Sequence, residues 1–162
     1  MRAIAARAGV DTGLIRHFFG DKNGLIAATL AAGTTAPDQL ATALRGTPDG
    51  VGERLARAYF ELWESPEAGP TTVVVFRSAI TSPKAMGMLR ESFGTQLQER
   101  VLGTNADTDR AKGVALAVSH LLGVAVARYV IEVEPLAGMD RDELVHRVTP
   151  AVQQYLTGQT HD

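Results

Sequence analysis

The sequence predicts an all-α protein, and three observations support this prediction. Alanine is abundant, while runs of β-branched residues are few. Apolar side chains recur at helical spacing in residues 51–63, 86–101 and 144–156, so each of these segments has one apolar face. The stretches between periodic segments contain the glycine, proline, serine and aspartate residues that end helices and form turns.

Helices are predicted between these breaks. They span residues 2–8, 12–19, 22–32, 37–45, 50–64, 71–82, 84–102, 107–134 and 140–157. Asp107 and Asp140 are suited to cap the last two, because an aspartate side chain accepts hydrogen bonds from the first free backbone amides. Residues 73–76 (VVVF) have strand propensity but no partner run, so we expect a buried helix there. Pro150 is expected to kink the last helix or to begin its final segment.

The composition excludes several classes of site. The chain has no cysteine, which excludes a disulfide scaffold, a thiolate zinc site, an iron–sulfur cluster and a cysteine nucleophile, and fits a reducing compartment. The formal net charge is −2, so the whole molecule is not a basic nucleic-acid coat. Residues 1–22 nevertheless carry four basic and two acidic side chains, against 12 basic and 16 acidic ones in the remainder. This imbalance indicates that the N-terminal segment alone meets a polyanion.

The apolar segments indicate where the protein resides. The longest apolar run without charge, residues 113–127, is 15 residues long and contains Ser119 and His120. Spanning a bilayer takes about 20 residues, so this run is expected to be a buried helix. Residues 1–10 lack the apolar core of a secretory signal peptide. We therefore expect a cytoplasmic protein that does not enter a membrane.

Residues 2–19 have the spacing of two short helices that cross steeply over a tight turn. Ala5 is small enough for the second helix to approach closely, and Gly9 can take the left-handed conformation that ends the first helix. Val10 and Ile15 are expected to fill the angle between the two helices.

Further apolar positions at Ile4, Ala8 and Phe18 complete this pattern, and Asp11 or Thr12 can cap the second helix. The pattern predicts a helix-turn-helix, whose second helix enters the major groove of DNA. An ordinary helical hairpin is the alternative.

The run GVDTGLIRHFFGDKNGL, residues 9–25, resembles the signature of the TetR family, the tetracycline-repressor-like bacterial transcription regulators. Phe19, Lys22 and Leu25 match the spacing that follows the recognition helix in that family, and residues 4–10 match its first motif helix. The resemblance is specific over residues 2–32. Beyond them it is architectural: an all-helical body of suitable size that ends in two helices suited to dimerisation.

The resemblance implies which side chains meet DNA. They are Thr12, Gly13, Leu14, Arg16, His17, Lys22 and Arg2. Lys22 would contact phosphate beside a helix N-terminus, and His17 stands where the family often has a phosphate-contacting tyrosine. Arg16 would read a guanine edge with both arms of its guanidinium group, with a phosphate contact or a solvated arginine as the alternatives.

The family has a further helix ahead of the motif, which packs across both motif helices. In this chain the motif begins at the first residues, so Ile4, Ala8, Ile15 and Phe18 are expected to expose part of their packed face. A misassigned start or upstream residues left out of the sequence would explain the difference, and a natural truncation is the alternative. Residues 1–33 are thus predicted to form a helix-turn-helix domain whose first helix is missing.

Residues 34–162 are predicted to form a helical domain for effector binding and dimerisation. In the helix 107–134, small side chains at every fourth position form a groove for a second helix: Ala115, Ser119, Gly123 and Ala127. The helix 140–157 is expected to present Leu144, Val148, Tyr155 and Leu156. Two such helices from each chain would form a four-helix interface about a two-fold axis, as the resemblance also implies. The alternative is that both helices pack within a monomer.

The resemblance also implies an effector pocket among the central helices. The candidate pocket residues are Phe60, Trp63, Phe76, Arg77, Met86, Met88, Phe93, His120 and Tyr129. Each has a role in the core as its alternative. Arg77 is expected to pair with Glu61, Glu64 or Glu132, with binding of an acidic effector as the alternative. His120 is expected to be a hydrogen-bonded core histidine, with a ligand or sensor role as the alternative.

Catalysis is not expected. The four histidines, His17, His120, His146 and His161, lack the spacing of a metal site. No glycine-rich phosphate loop follows a predicted strand, and no serine lies in a nucleophile elbow. We therefore expect neither a metal nor a cofactor.

These features predict a bacterial transcription regulator of TetR type, usually a repressor, that binds a palindromic operator in double-stranded DNA as a homodimer. A small-molecule effector would release it. The alternative is a truncated helical dimer that does not bind DNA and serves as a ligand-binding or interaction module.

Overall fold

The computed structural model describes residues 1–22, 24–25, 36–81, 83, 86–87, 90–91 and 108–158. Within these ranges every regular element is a helix, so the all-α prediction is confirmed. The described helices are α1 (Arg2–Ala8), α2 (Thr12–Phe19), α3 (Ala36–Ala43), α4 (Val51–Glu64), α5 (Gly69–Thr81), α6 (Thr108–Ala125) and α7 (Arg141–Thr157). One π-helical turn, Val126–Val130, continues α6.

Most helix boundaries agree with the predicted ones. α1 and α2 have the predicted bounds, and α3, α4, α5 and α7 differ by one or two residues at an end. Residues 73–76 lie within α5, which confirms the choice of helix over strand. The predicted helices 22–32 and 84–102 lie largely outside the described residues, as does the predicted cap Asp107.

The start of α7 is the predicted one. The Asp140 side chain accepts hydrogen bonds from the backbone amides of Asp142, at 2.8 Å, and Glu143, at 3.3 Å. It thereby satisfies two donors that have no partner within the helix. The helix continues through Pro150 to Thr157, so Pro150 does not begin a separate segment.

The prediction of one continuous helix over residues 107–134 is wrong at its C-terminal end. The backbone widens into the π turn, where the amide of Ile131 donates to the carbonyl of Val126 at 2.9 Å. Glu132 then has a positive φ of 61°, which a non-glycine residue adopts at an energetic cost. Residues 131–134 are therefore outside the helix, and the chain turns away towards α7.

The prediction that this apolar helix is buried holds only in part. Thr108–Val130 is long and apolar enough to cross a membrane by length and composition, with a mean hydropathy of 1.6. Of its most apolar stretch of 18 residues, 39% is buried within this chain. Its exposed residues include Ala115, Leu116, Ser119 and Gly123, which lie along one side of α6.

The core lies where α7 packs against α4 and α6. The largest fully buried side chains are Leu55, Phe60, Leu121, Leu144, Val145 and Val152. Fully burying an apolar side chain of this size contributes about 1.5–3 kcal/mol relative to exposure. The core therefore joins α4, in the first half of the chain, to the last helix.

Two glycines allow these helices to approach closely. A Cβ atom added to Gly52 on α4 would lie 2.6 Å from the backbone nitrogen of Gln153 on α7. A Cβ atom on Gly113 of α6 would collide with the backbone carbonyl of Tyr155 on α7. The Gly52 amide also donates to the Gln153 side-chain oxygen at 2.7 Å, so the contact with α4 is hydrogen-bonded as well as close.

This packing corrects the prediction for the last helix. Leu144 and Val148 are 1% and 7% exposed because they face α4 and α6 within the same chain. They are therefore not presented to a second subunit, and the prediction is wrong for both. Tyr155 and Leu156 are partly buried and pack against the same core.

Arg54 organises the connection between α3 and α4. Its guanidinium group donates to the backbone carbonyls of Ala43, Arg45, Thr47 and Asp49, at 3.3, 3.3, 2.8 and 2.8 Å. A planar group with five N–H donors can hold four carbonyls of one loop at the same time.

We expect Arg54→Lys to lower the free energy of unfolding by about 1–3 kcal/mol, because a single ammonium group cannot reach all four carbonyls. Thermal unfolding by circular dichroism measures the change, at about 2–4 °C per kcal/mol for a chain of this size. Lys112→Ala is the control, since it removes an exposed ion pair with Asp109 within α6. Equal melting temperatures for the two variants would contradict this role of Arg54.

Candidate nucleic-acid interface

The first helix of the motif ends by the local mechanism that the sequence predicts. Gly9 has a φ of 66°, in the left-handed region. The amide of Val10 donates to the carbonyl of Ala5 at 3.1 Å, and the amide of Gly9 donates to the carbonyl of Ala6 at 3.4 Å. These two bonds form the Schellman arrangement that closes many helices.

Asp11 caps the second helix, in agreement with one of the two predicted caps. Its backbone is extended, and its Oδ1 atom accepts a hydrogen bond from the amide of Gly13 at 2.6 Å. A residue N-terminal to a helix in this conformation is a favourable N-cap. Gly9 and Asp11 together set the direction in which α2 leaves α1.

The two helices cross at Ala5 and Ile15, which are 2% and 6% exposed. The predicted close approach at Ala5 is therefore confirmed, as is the burial of Ile15 between the helices. Val10 was expected to fill the same angle, but it is 41% exposed, so that prediction is wrong. The left-handed turn at Gly9 directs the next side chain away from the crossing.

Part of the apolar face of the motif is exposed. Ile4 is 38% and Phe18 61% exposed, and Ala8 is also exposed. Ile15 differs from this expectation because its contact with α1 buries it.

The predicted DNA-contacting residues of α2 lie on its solvent-exposed side. Gly13, Leu14, Arg16 and His17 are exposed, and Thr12 is partly buried. The ring of His17 packs edge-on against Phe18, with centroids 5.2 Å apart. A helix with this exposed surface can enter a groove without rearrangement of its packed side.

Lys22 stands at the beginning of the next helical turn. The Asp21 side chain caps that turn, since its Oδ1 accepts from the amide of Gly24 at 2.9 Å. Lys22 is exposed, and so is Arg2 at the start of α1. A lysine beside a helix N-terminus, where backbone amides are unpaired, is well suited to contact phosphate.

Three of the predicted pocket residues come together in the second domain. The Trp63 ring stacks on that of Tyr129, at 5.5 Å and 11° between planes. It also contacts the Phe76 ring at 5.0 Å. Phe60 lies deeper in the same core and is fully buried. These aromatic side chains join α4, α5 and the π turn.

The other predicted pocket residues lie apart from this cluster. Arg77 forms an ion pair with Glu132 at 2.5 Å, one of the three partners predicted for it. His120 packs against Tyr155 with ring centroids 5.9 Å apart. Met86 is 46% exposed. Met88 and Phe93 lie outside the described residues.

Sequence reasoning missed a charged cluster beside the aromatic one. Glu64 accepts a hydrogen bond from the Tyr129 hydroxyl at 2.8 Å, and the guanidinium groups of Arg128 and Arg141 lie 3.5 and 3.4 Å from its carboxylate. The pair of polar residues at 128–129, directly after the apolar run, was the available signal. The partners come from distant parts of the chain, so spacing alone did not connect them.

Comparison with known proteins agrees with this architecture. Residues 1–29 match the family model described as bacterial regulatory proteins, tetR family. Residues 49–156 match the model of the tetracyclin repressor-like C-terminal domain. A crystal structure of a TetR-family regulator from Streptomyces coelicolor A3 superimposes with a TM-score of 0.64 and 29% identity, covering 86% of this chain and 94% of that one.

Curated relatives match a shorter stretch. The HTH-type transcriptional regulator BetI of Escherichia coli O127:H6 is 46% identical over 56 residues, and that of Klebsiella pneumoniae strain 342 is 45% identical over 56 residues. The matched stretch is 34% of this chain and spans 29% of the length of either relative.

The fold and the N-terminal motif are those of a helix-turn-helix protein with an all-helical C-terminal part. The family model for the C-terminal domain covers well over half of the sequence. The chain belongs to the TetR family of bacterial regulatory proteins.

We expect Gly9→Ala to destabilise α1 by about 1–2 kcal/mol, since an added Cβ disfavours the left-handed conformation. A Cβ atom at Gly9 would meet nothing within 4 Å, so the effect comes from the backbone alone. Gly9→Asn is the matched control, because asparagine tolerates this conformation better. Hydrogen exchange of the α1 amides measures the difference, and equal protection in the two variants would contradict it.

Proposed function

We propose that this chain is a DNA-binding transcription regulator that acts as a homodimer on a palindromic operator. It serves as a repressor in the cytoplasm, and a small-molecule effector releases it from DNA. It has no catalytic activity of its own. Its named relatives are transcriptional regulators, which supports the regulatory role over an enzymatic one.

The exposed surface of α2 carries the proposal of DNA binding. Arg16 and His17 project from a short helix whose start is capped by Asp11 and whose packed side is held by Ile15. Lys22 lies just beyond, at the capped start of the next turn. This combination supports insertion of α2 into the major groove with a phosphate contact at its edge.

The exposed side of α6 supports the homodimer. Ala115, Ser119 and Gly123 recur at every fourth position and are exposed, with Leu116, 53% exposed, beside them. A Cβ atom added to Gly123 would meet nothing within 4 Å. An apolar surface of small side chains favours close packing against a second helix, and two motifs on one duplex require two-fold spacing.

α7 completes this surface in a way that differs from the prediction. Its apolar side is used within the chain, and the residues left exposed at four-residue spacing are His146, Pro150 and Gln154. We infer that α7 contributes this more polar stripe to the dimer, beside the apolar stripe of α6. The interface would then have an apolar part from α6 and a polar rim from α7, as in many subunit contacts.

A second candidate function is favoured by the exposed apolar side chains of the motif. Ile4 and Phe18 suit contact with protein better than with DNA. On this alternative, the chain is a helical dimer that binds a ligand or a partner protein and not DNA. Fluorescence anisotropy with the DNA upstream of its own gene, over a salt series, separates the two. A steep fall of affinity with salt supports the regulator, and weak binding at every salt concentration supports the alternative.

Lys22→Ala and Arg16→Ala are expected to affect DNA binding differently. Removing the Lys22 ammonium weakens binding to all sequences alike. It also lowers by about one the slope of the logarithm of affinity against the logarithm of salt concentration. Removing the Arg16 guanidinium costs about 1–3 kcal/mol at the preferred base pair and relaxes the preference there. Anisotropy with single-base operator variants measures both effects.

Arg147→Ala controls for the loss of one positive charge, since this exposed residue of α7 pairs with Glu143. This variant should leave both the salt dependence of DNA affinity and the base preference unchanged. A loss of affinity without altered base preference in Arg16→Ala would contradict its base-reading role.

Gly123→Leu is expected to raise the dimer dissociation constant about tenfold or more, because overpacking an interface costs about 1–3 kcal/mol. Leucine favours the helix more than glycine does, so the loss cannot come from a weaker α6. Ser119→Ala is the control that keeps the stripe small. Sedimentation equilibrium measures both, and equal dimerisation would rule out this face as the interface.

A further inference from the structure

Glu64 joins the ends of three helical elements. It is the last residue of α4, while Arg128 and Tyr129 belong to the π turn and Arg141 is the first residue of α7. Burial, and then the hydrogen bond to Glu64, raise the pKa of Tyr129 to about 12. The phenol therefore stays protonated at neutral pH and donates to the carboxylate.

The cluster has more hydrogen-bond donors than acceptors. Two guanidinium groups share a single carboxylate at 3.5 and 3.4 Å, longer than the roughly 2.7–2.9 Å of a good charge-assisted hydrogen bond. The Nε atoms of Arg128 and Arg141 are buried and have no hydrogen-bond partner among the described residues. Buried donors of this kind are rare in folded proteins, so each one calls for an acceptor.

The cluster can be reached from solvent. The side chains of Glu64 and Arg141 are 29% and 38% exposed, while that of Arg128 is 9% exposed. An incoming anion therefore meets Arg141 first. Arg128, which also donates to the backbone carbonyl of Leu136, forms the inner wall.

Two aromatic rings lie directly beside these charges. Trp63 precedes Glu64 in α4, and Tyr129 follows Arg128 in the π turn. The stacked rings of Trp63 and Tyr129 therefore stand next to the Glu64–Arg128 ion pair. Trp63 is 6% exposed and Tyr129 is partly buried, so a packed aromatic pair stands directly beside the two cationic side chains.

We propose that this cluster recognises an apolar carboxylic acid and that Glu64 occupies the position of its carboxylate in the free protein. The acid's carboxylate replaces that of Glu64 on Arg141 and Arg128, and its apolar part packs against Trp63 and Tyr129. This proposal rests on the proposed function, because it names the chemical class of the effector. Displacing Glu64 removes its ion pair with Arg141 at the start of α7, which links binding to the helix assigned to the dimer.

Trp63 is the single tryptophan of the sequence, so its fluorescence reports on this site. The full chain is titrated with acetate, hexanoate, phenylacetate and inorganic phosphate, and with the primary amides of the three acids. Hexanoate or phenylacetate should change the emission saturably and bind at least about tenfold more tightly than its amide, and more tightly than acetate or phosphate. Absence of any preference for carboxylate over amide overturns the proposal, and so does equal binding of acetate or phosphate.

Two variants test the roles of the charged residues. Arg141→Met should weaken carboxylate binding about tenfold. Arg147→Met is the control and should leave carboxylate binding unchanged, because Arg147 lies on an exposed part of α7 and pairs with Glu143. Glu64→Gln removes the internal competitor and should tighten carboxylate binding. A merely structural role of Glu64 predicts no such gain, so unchanged or weaker binding by a folded Glu64→Gln protein overturns the proposal.

Circular dichroism establishes that each variant is folded. If Glu64→Gln does not fold, Glu64→Asp serves instead, because the shorter side chain draws the carboxylate back from both arginines and should also tighten binding. Operator affinity is measured on the same samples. Acid binding without DNA binding would overturn the proposed regulator alone, and DNA binding without acid preference would overturn the effector class alone.

Discussion

Close packing of α7 against α4 and α6 is the contact on which the second domain depends. Gly52 and Gly113 bring backbone against backbone there, and Leu144, Val145 and Val152 fill the space between the three helices. The Arg57 guanidinium adds an exposed ion pair to Asp142 at the edge of the contact, which contributes little by comparison. Because α7 is held so tightly from within the chain, only its exposed side is left free of contacts with α4 and α6.

The loop that leads into α7 carries the least regular backbone of the described residues. It begins with the π turn and passes through the positive φ of Glu132, which the ion pair with Arg77 holds in place. π-helical turns often mark functional positions, because they shift side chains out of the ordinary helical register. Here the shift allows Arg128 and Tyr129 both to face Glu64, on the end of a different helix.

The two domains are stabilised by different means. The helix-turn-helix relies on local devices, the left-handed Gly9, the Asp11 cap and one small crossing at Ala5 and Ile15. The helices α3 to α7 rely on contacts between residues that can be more than a hundred positions apart. A small motif held mainly by caps keeps much of its surface exposed.

Local patterns were sufficient to predict the helix-turn-helix. Gly9, Asp11, Ala5 and Ile15 act through neighbours a few residues away, so their roles can be read from spacing. The burial of Leu144 and Val148, the π turn and the Glu64 cluster depended on the tertiary structure. An apolar stripe indicates that a helix face packs against another part of a protein. It does not show whether that part belongs to the same chain or to another one. Likewise, charged residues far apart in sequence give no sign that they converge, since their meeting is set by how the helices pack.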